Sequence, residues 1–242
     1  MKIMQKMRTK AQDHFNHEGV TIAFLGDSVT QGCFEIYKKE NNQIETVFDK
    51  RGSYEYHLFD MLCTLSPEVT VNIINAGISG DTAPRGAQRV ARDVLRHKPD
   101  LSVVCYGLND CGTKETSVEK YTDALRSIFE QVRASDSELI FMTPNMMNTK
   151  ISPHLTDPDF IRLATDCAKK QNEGYFDAHI EAARALCRES GIPVCDCYAI
   201  WKAFYENGVN TTELLANKIN HPTREMNRLF AYELLRTMMS EE

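Results

Sequence analysis

A repeated switch between short Val- and Ile-rich runs and longer stretches of helical spacing limits this chain to one broad fold class. Val20 to Leu25, Val69 to Ile74, Leu101 to Tyr106, Glu138 to Met142 and a short run from Pro193 to Cys197 read as strands. Ser53 to Leu65, Arg85 to Arg96, Val118 to Ala134, Phe176 to Glu189 and Glu225 to Met239 read as helices between and after them. In the first helix, Tyr56, Phe59, Leu62 and Cys63 are expected on one side. Strands alternating with helices predict an α/β fold: a parallel sheet covered by helices on both faces. The segments after the first and fourth strands, through Lys50 and from Asn145 to Asp159, carry no comparable periodicity and read as loops. The second of these is a candidate lid. In an open parallel sheet, ligands bind beyond the carboxyl ends of the strands. There the first three strands run into Asp27-Ser28, Asn75 to Gly77, and Gly107 to Asn109, so the three clusters should meet at one rim.

Composition narrows the setting. The chain has 242 residues, 42% hydrophobic and 26% charged, which is ordinary for a folded domain large enough to stand without disulfides or metals. No repeat or Pro/Gly/Ser-rich linker divides it, so residues 1–242 are expected to form a single domain, with residues 1–18 as an N-terminal extension. The net charge of -6 argues against a nucleic-acid or anionic-membrane partner, either of which favours a basic face. No segment has the apolar length of a membrane span or a signal-peptide core, which predicts a cytoplasmic protein. The eight cysteines are then expected to be reduced and mostly buried. Cys195 and Cys197 form a C-x-C pair with no second Cys/His pair nearby, a poor metal-binding pattern. The Arg85, Arg89, Arg92, Arg96 row has the spacing of one solvated helix face.

The rim clusters hold the residue types that acyl transfer needs: a nucleophile, a base, and donors aimed at the developing oxyanion. Ser28 follows a strand, where its N–H and hydroxyl can face one point. Gly77 lacks a side chain, so its N–H can approach a substrate, and the Asn109 amide is a further donor. His221 sits in a loop before the last helix, next to Pro222, which restrains the backbone there. Taken singly these are common residues with structural uses: a serine caps helices, glycine and asparagine make turns, and a lone histidine is usually solvated. Their coincidence at one sheet rim is the signal.

The order of these segments resembles the GDSL, or SGNH, hydrolase family. Phe24-Leu25-Gly26-Asp27-Ser28-Val29-Thr30-Gln31-Gly32 is similar to its first block, with valine where the family name has leucine. Asn75-Ala76-Gly77-Ile78-Ser79-Gly80-Asp81-Thr82 is similar to its glycine block, Tyr106-Gly107-Leu108-Asn109-Asp110 to its G-x-N-D block, and His221-Pro222-Thr223 to its last. The resemblance implies a flavodoxin-like three-layer sandwich with a five-stranded parallel sheet, and ester hydrolysis without metal or organic cofactor. It further implies Ser28 as nucleophile, His221 as base, and Ser28, Gly77 and Asn109 as the oxyanion hole. A short-chain, acetyl-type ester of a sugar or other small molecule is the expected substrate. Lysophospholipase or thioesterase activity, or a non-catalytic binding protein on the same fold, are the alternatives.

The sequence departs from the family at one position. Members usually carry an aspartate three residues before the histidine, to hold the imidazole; here that residue is Lys218. A lysine accepts no hydrogen bond. The expectation is therefore a Ser–His dyad, with Asn217 or the backbone around Lys218 orienting the ring; Asp196 is a more distant candidate.

Overall fold

The computed structural model describes residues 1–112 and 117–240. Its central sheet contains β1 (Val20–Gly26), β4 (Val71–Gly77), β5 (Leu101–Cys105), β6 (Glu138–Met142) and β7 (Val194–Cys195), all parallel, in the order β4-β1-β5-β6-β7. The flavodoxin-like sandwich expected from the sequence is present. β1 has both β4 and β5 as neighbours, so the chain reverses direction across the sheet beside it, and Ser28 follows its last residue. A crevice at that reversal is where such sheets bind ligands.

The strands read as unbroken apolar runs because both faces are covered, and alternate residues supply two cores. Ile22, Phe24, Val103 and Ile140 point to a core shared with α1 (Lys2–Gln12), α3 (Tyr54–Leu65) and α9 (Arg224–Met239). Ala23, Leu25, Val104 and Phe141 point to a second core, shared with α4 (Ala83–Asp93), α5 (Val118–Arg133) and α7 (Tyr175–Ser190). The N-terminal extension is part of this body. Ile3 and Met7 of α1 are buried, and the Lys2 and Ile3 N–H groups donate to the Glu138 carboxylate. In α3 the buried residues are Tyr54, Glu55, Leu58 and Leu62, so the helix is rotated from the expected face and Tyr56 is exposed. Seven of the eight cysteines are buried and all are free thiols. Among the described residues, no helix is long and apolar enough to cross a membrane.

The first expected loop contains more structure than its sequence suggested, and an unexpected helix follows the second. After β1 come α2 (Ser28–Gln31) and an antiparallel hairpin of β2 (Cys33–Lys38) and β3 (Ile44–Phe48). The hairpin turns through Asn42, at φ 61, and its strands are half-exposed, so no alternation announces them. Lys38 ties it to Asp157 and Asp159. Beyond β6, α6 (Pro158–Asn172) starts from an Asp157 cap with proline in its first turn. Its buried stripe is Ala164, Cys167, Ala168 and Gln171, too small and too polar to stand out by hydrophobicity. α8 (Cys197–Glu206) begins where the fifth strand was expected to continue, capped by Asp196.

The segment from Asn145 to Asn148 is not a lid. Asn145, Met146, Met147 and Asn148 are buried; the Asn148 N–H donates to the Ile219 carbonyl, and Asn145 Nδ2 to the Asn220 carbonyl. It is a wall that supports the His221 loop from behind.

Candidate active site

Ser28 is the first residue of α2, with Asp27 as cap. Asp27 Oδ1 accepts from the Val29 N–H at 3.0 Å, which fixes the turn on which Ser28 stands. Across the rim, the Ser28 hydroxyl lies 3.0 Å from His221 Nε2. Both residues are buried, at 4% and 5% exposure, so their contact is largely shielded from water.

The other ring nitrogen decides how the histidine is held. His221 Nδ1 lies 2.9 Å from the Phe34 carbonyl oxygen on β2. A carbonyl only accepts, so Nδ1 carries the proton and Nε2 presents its lone pair to Ser28. The ring partner is therefore neutral, but it comes from neither Asn217 nor the Lys218 backbone. The Asn217 side-chain oxygen is occupied by three backbone donors, the N–H groups of Ile219, Asn220 and His221, at 2.9–3.0 Å. It folds the loop. Lys218 sits in the left-handed region at φ 59, and its ammonium binds Glu213. Asp196 is held by Arg184 and Thr143. Burial pushes the His221 pKa down to about 4, against weaker opposing effects from the Phe34 bond and the Glu35 charge.

The donor side needs one correction. Asn109 Nδ2 gives one hydrogen to the Asp81 carbonyl at 2.9 Å, which fixes the amide orientation; its second N–H has no partner among the described residues. The Ser28 N–H has no protein partner among the described residues. The Gly77 N–H, however, donates to Asn75 Oδ1 at 2.9 Å, which removes it from the expected oxyanion hole. Gly77 has a packing role: a Cβ there would lie 2.3 Å from the Gln31 nitrogen, so only glycine lets α2 settle on the end of β4. Gly80, three residues on, has φ 75, open space where a Cβ would be, and an N–H with no partner among the described residues.

Beneath the nucleophile lies an ionic network that the sequence concealed. Arg89 is buried rather than solvated. It donates to Asp81 Oδ2 at 2.6 and 2.8 Å, to the Ala76 and Gly26 carbonyls, and to the Tyr106 hydroxyl. One guanidinium thus ties together the ends of β1 and β4 and the turn that carries Gly80. Burial raises the carboxyls of Asp27 and Asp110 to about 7. Among the described residues, no group of three or more His, Cys, Asp or Glu side chains is arranged to hold a metal ion; the Cys195 and Cys197 sulfurs are 3.8 Å apart with no third ligand.

Residues 24–229 match the GDSL-like Lipase/Acylhydrolase family. The chain belongs to this family. It is 26% identical to an acetylxylan esterase of Geobacillus stearothermophilus over 171 residues, which cover 66% of this chain and 76% of that one. It is also 26% identical to thioesterase 1/protease 1/lysophospholipase L1 of Escherichia coli K12, over 47% of this chain and 46% of that one. The crystal structure of the Geobacillus acetylxylan esterase Axe2 superposes with a TM-score of 0.68 at 20% identity, over 93% of this chain and 96% of that one. A putative GDSL-like lipase of Parabacteroides merdae superposes at 0.69 and 20% identity, over 91% and 95%. Catalytic mutants of Axe2 replace a serine, a histidine and an aspartate with alanine. The present protein is an ester hydrolase of this family.

Proposed function

We propose that this hydrolase removes acetyl or similarly short acyl groups from a sugar or other small polyol, with Ser28 as nucleophile and His221 as general base. The observation that carries the assignment is the buried 3.0 Å contact between Ser28 Oγ and His221 Nε2, with Nδ1 already committed as a donor. Ser28 Oγ attacks the ester carbonyl carbon while its proton passes to Nε2. The oxyanion takes hydrogen bonds from the Ser28 N–H, the second Asn109 N–H and, in place of Gly77, the Gly80 N–H. Nε2 then protonates the departing alcohol, leaving an acyl-serine. A water molecule, deprotonated by the same nitrogen, attacks that ester and releases the carboxylic acid and free Ser28. While the imidazolium exists, its Nδ1–H continues to donate to the Phe34 carbonyl oxygen.

The short-acyl preference is supported by likeness to the acetylxylan esterase. It also fits the packing beyond β6, where Met147 is buried in the core. Ser28→Ala is expected to lower p-nitrophenyl acetate hydrolysis by about 10³-fold or more. Retained turnover in that variant excludes Ser28. A panel of acetylated sugars, acyl thioesters and lysophospholipids then tests the substrate class. Faster cleavage of octanoyl than acetyl esters would replace the proposed substrate with a lipid-like one.

A further inference from the structure

The family's aspartate is missing, yet His221 is held by a single carbonyl on a two-stranded hairpin, and such hairpins are marginal by themselves. What holds that carbonyl still is the question. Arg224, the first residue of α9, lies three residues after His221. Its guanidinium sits over the Phe34 ring at 4.3 Å from the centroid. Its Nη1 and Nη2 reach the two Glu35 carboxylate oxygens at 2.7 and 3.3 Å, and its Nε reaches Asp49 Oδ2 at 2.7 Å. One planar side chain therefore grips consecutive residues of β2 and the turn that follows β3. It does so from the segment that also carries the histidine. The fork geometry and the stacking face are both properties of arginine that lysine lacks.

Taking Ser28 and His221 as the reacting pair, we infer that Arg224 is a positioning residue: by clamping Phe34 and Glu35 it holds the Phe34 carbonyl on His221 Nδ1, the task an aspartate performs elsewhere in the family. The clamp has an electrostatic consequence too. Glu35 is the carboxylate that acts on His221 through space, and Arg224 offsets its charge. Among the charged groups nearest the pair in sequence or by contact are Asp27 beside Ser28, Glu35 on β2, Asp49 after β3, Arg224 and Glu225 at the start of α9, and the Lys218–Glu213 pair of the histidine loop. Loss of Arg224 exposes the Glu35 charge and loosens the cover over the ring, and both changes favour the protonated imidazole.

The test is Arg224→Ala and Arg224→Lys in the full chain, with p-nitrophenyl acetate as substrate and Ser28→Ala as reference. Arg224→Ala is expected to lower kcat by about 10- to 100-fold, the scale of a misplaced reacting group, with little change in KM. The acid limb of its kcat/KM profile should move up toward the ordinary histidine range. Arg224→Lys should recover the charge but only part of kcat. An Arg224→Ala enzyme that melts earlier yet keeps wild-type kcat and acid limb when folded overturns the inference and leaves the Ser28 assignment intact. Full recovery of kcat by lysine also overturns it, since neither the fork nor the stack would then be needed. Turnover that ignores Ser28 defeats the underlying assignment instead. If the alanine variant does not fold, Glu35→Gln with Asp49→Asn weakens the same clamp while keeping side-chain size, and the same kcat loss is expected.

Discussion

Ser28 and His221 meet at one rim, but the structures behind them are made of different materials. Behind Ser28 the strand ends are fastened by buried charge: Arg89 against Asp81, with Tyr106 and two backbone carbonyls completing its coordination. Behind His221 the bonds that touch the ring and fold its loop are neutral. They run to the Phe34 carbonyl, the Asn217 amide oxygen and the Asn145 amide. Charge on that side stays off the ring, in the more exposed Arg224 clamp, one residue removed from the ring contact, and in the partly exposed Lys218–Glu213 pair of the loop. The contrast explains the titration of the site. The nucleophile's supports include carboxyls that burial raises, whereas the histidine's ring is bonded to a neutral carbonyl and burial lowers its pKa against a weaker pull from Glu35.

The contrast can be tested from its charged side first. Arg89→Met keeps most of the side-chain length but leaves Asp81, 3% exposed, with no cation. Breaking a buried pair in this way costs about 3–5 kcal/mol. Urea denaturation should show that loss, with activity falling as the β1 and β4 ends separate. A change under about 1 kcal/mol would mean that the network stabilises no more than a surface pair and that the two sides do not differ in kind.

The next effect separates donors from supports. Asn109→Ala removes a hydrogen bond to charge that exists only in the transition state, so kcat should fall by about 10²–10³ with little change in KM. Steady-state kinetics on p-nitrophenyl acetate decide it. A rise confined to KM would make Asn109 a ground-state contact.

The pH profile examines the neutral side. His221 must be unprotonated to act as base, and its folded pKa is about 4 against an ordinary 6.5. The sign follows: activity is retained as pH falls from neutrality and is lost only on passing through about 4. At pH 5 roughly nine-tenths of the imidazole should still be neutral, where an unshifted histidine would be mostly protonated. The same difference makes folding stability fall between about pH 6.5 and 4, because the unfolded histidine binds the proton first. An acid limb of kcat/KM near 6.5 would show that the ring is not desolvated in solution.

The two sides also differ in how far they could be read from sequence. Asp27, Ser28 and Asn109 were legible because strand ends in a parallel sheet collect at one rim, and residue type then names the chemistry. Gly77 and Gly80 lie three residues apart in one block, and residue type could not rank them; the ranking rests on a bond from the Gly77 N–H to Asn75. Arg89 follows the helical spacing of exposed arginines, and only the depth of α4 against the strand ends distinguishes it from Arg85 and Arg92. Phe34 was the least legible of all. Its contribution is a main-chain oxygen, which every residue possesses, delivered by a hairpin whose strands carry no clean alternation. The absence of the aspartate was legible; its replacement depends on long-range contact. Arg224 did leave a trace, standing directly after His221-Pro222-Thr223, but its partners lie 175 and 189 residues away.

The smallest expected effect is also the sharpest test of the histidine side. Lys218→Asp restores the family's acid at its usual position, and if the ring merely lacked a partner, activity should rise. The geometry argues for little change. The single Nδ1 proton already has an acceptor at 2.9 Å, and a new carboxylate must displace the Phe34 carbonyl to reach it. Lys218 occupies the left-handed region, which aspartate tolerates better than most residues, so the loop should keep its shape. The substitution also exchanges an ion pair with Glu213 for two like charges, at a cost of about 1 kcal/mol or less because that pair is partly exposed. Turnover is therefore expected within about threefold of the parent, an effect that small because no transition-state contact is lost or gained. The acid limb should stay close to its original position. A tenfold rise in kcat, accompanied by an acid limb moving toward neutrality, would mean that the aspartate has captured Nδ1. The neutral support would then be a replaceable substitute, and the distinction between the two sides would reduce to one side chain.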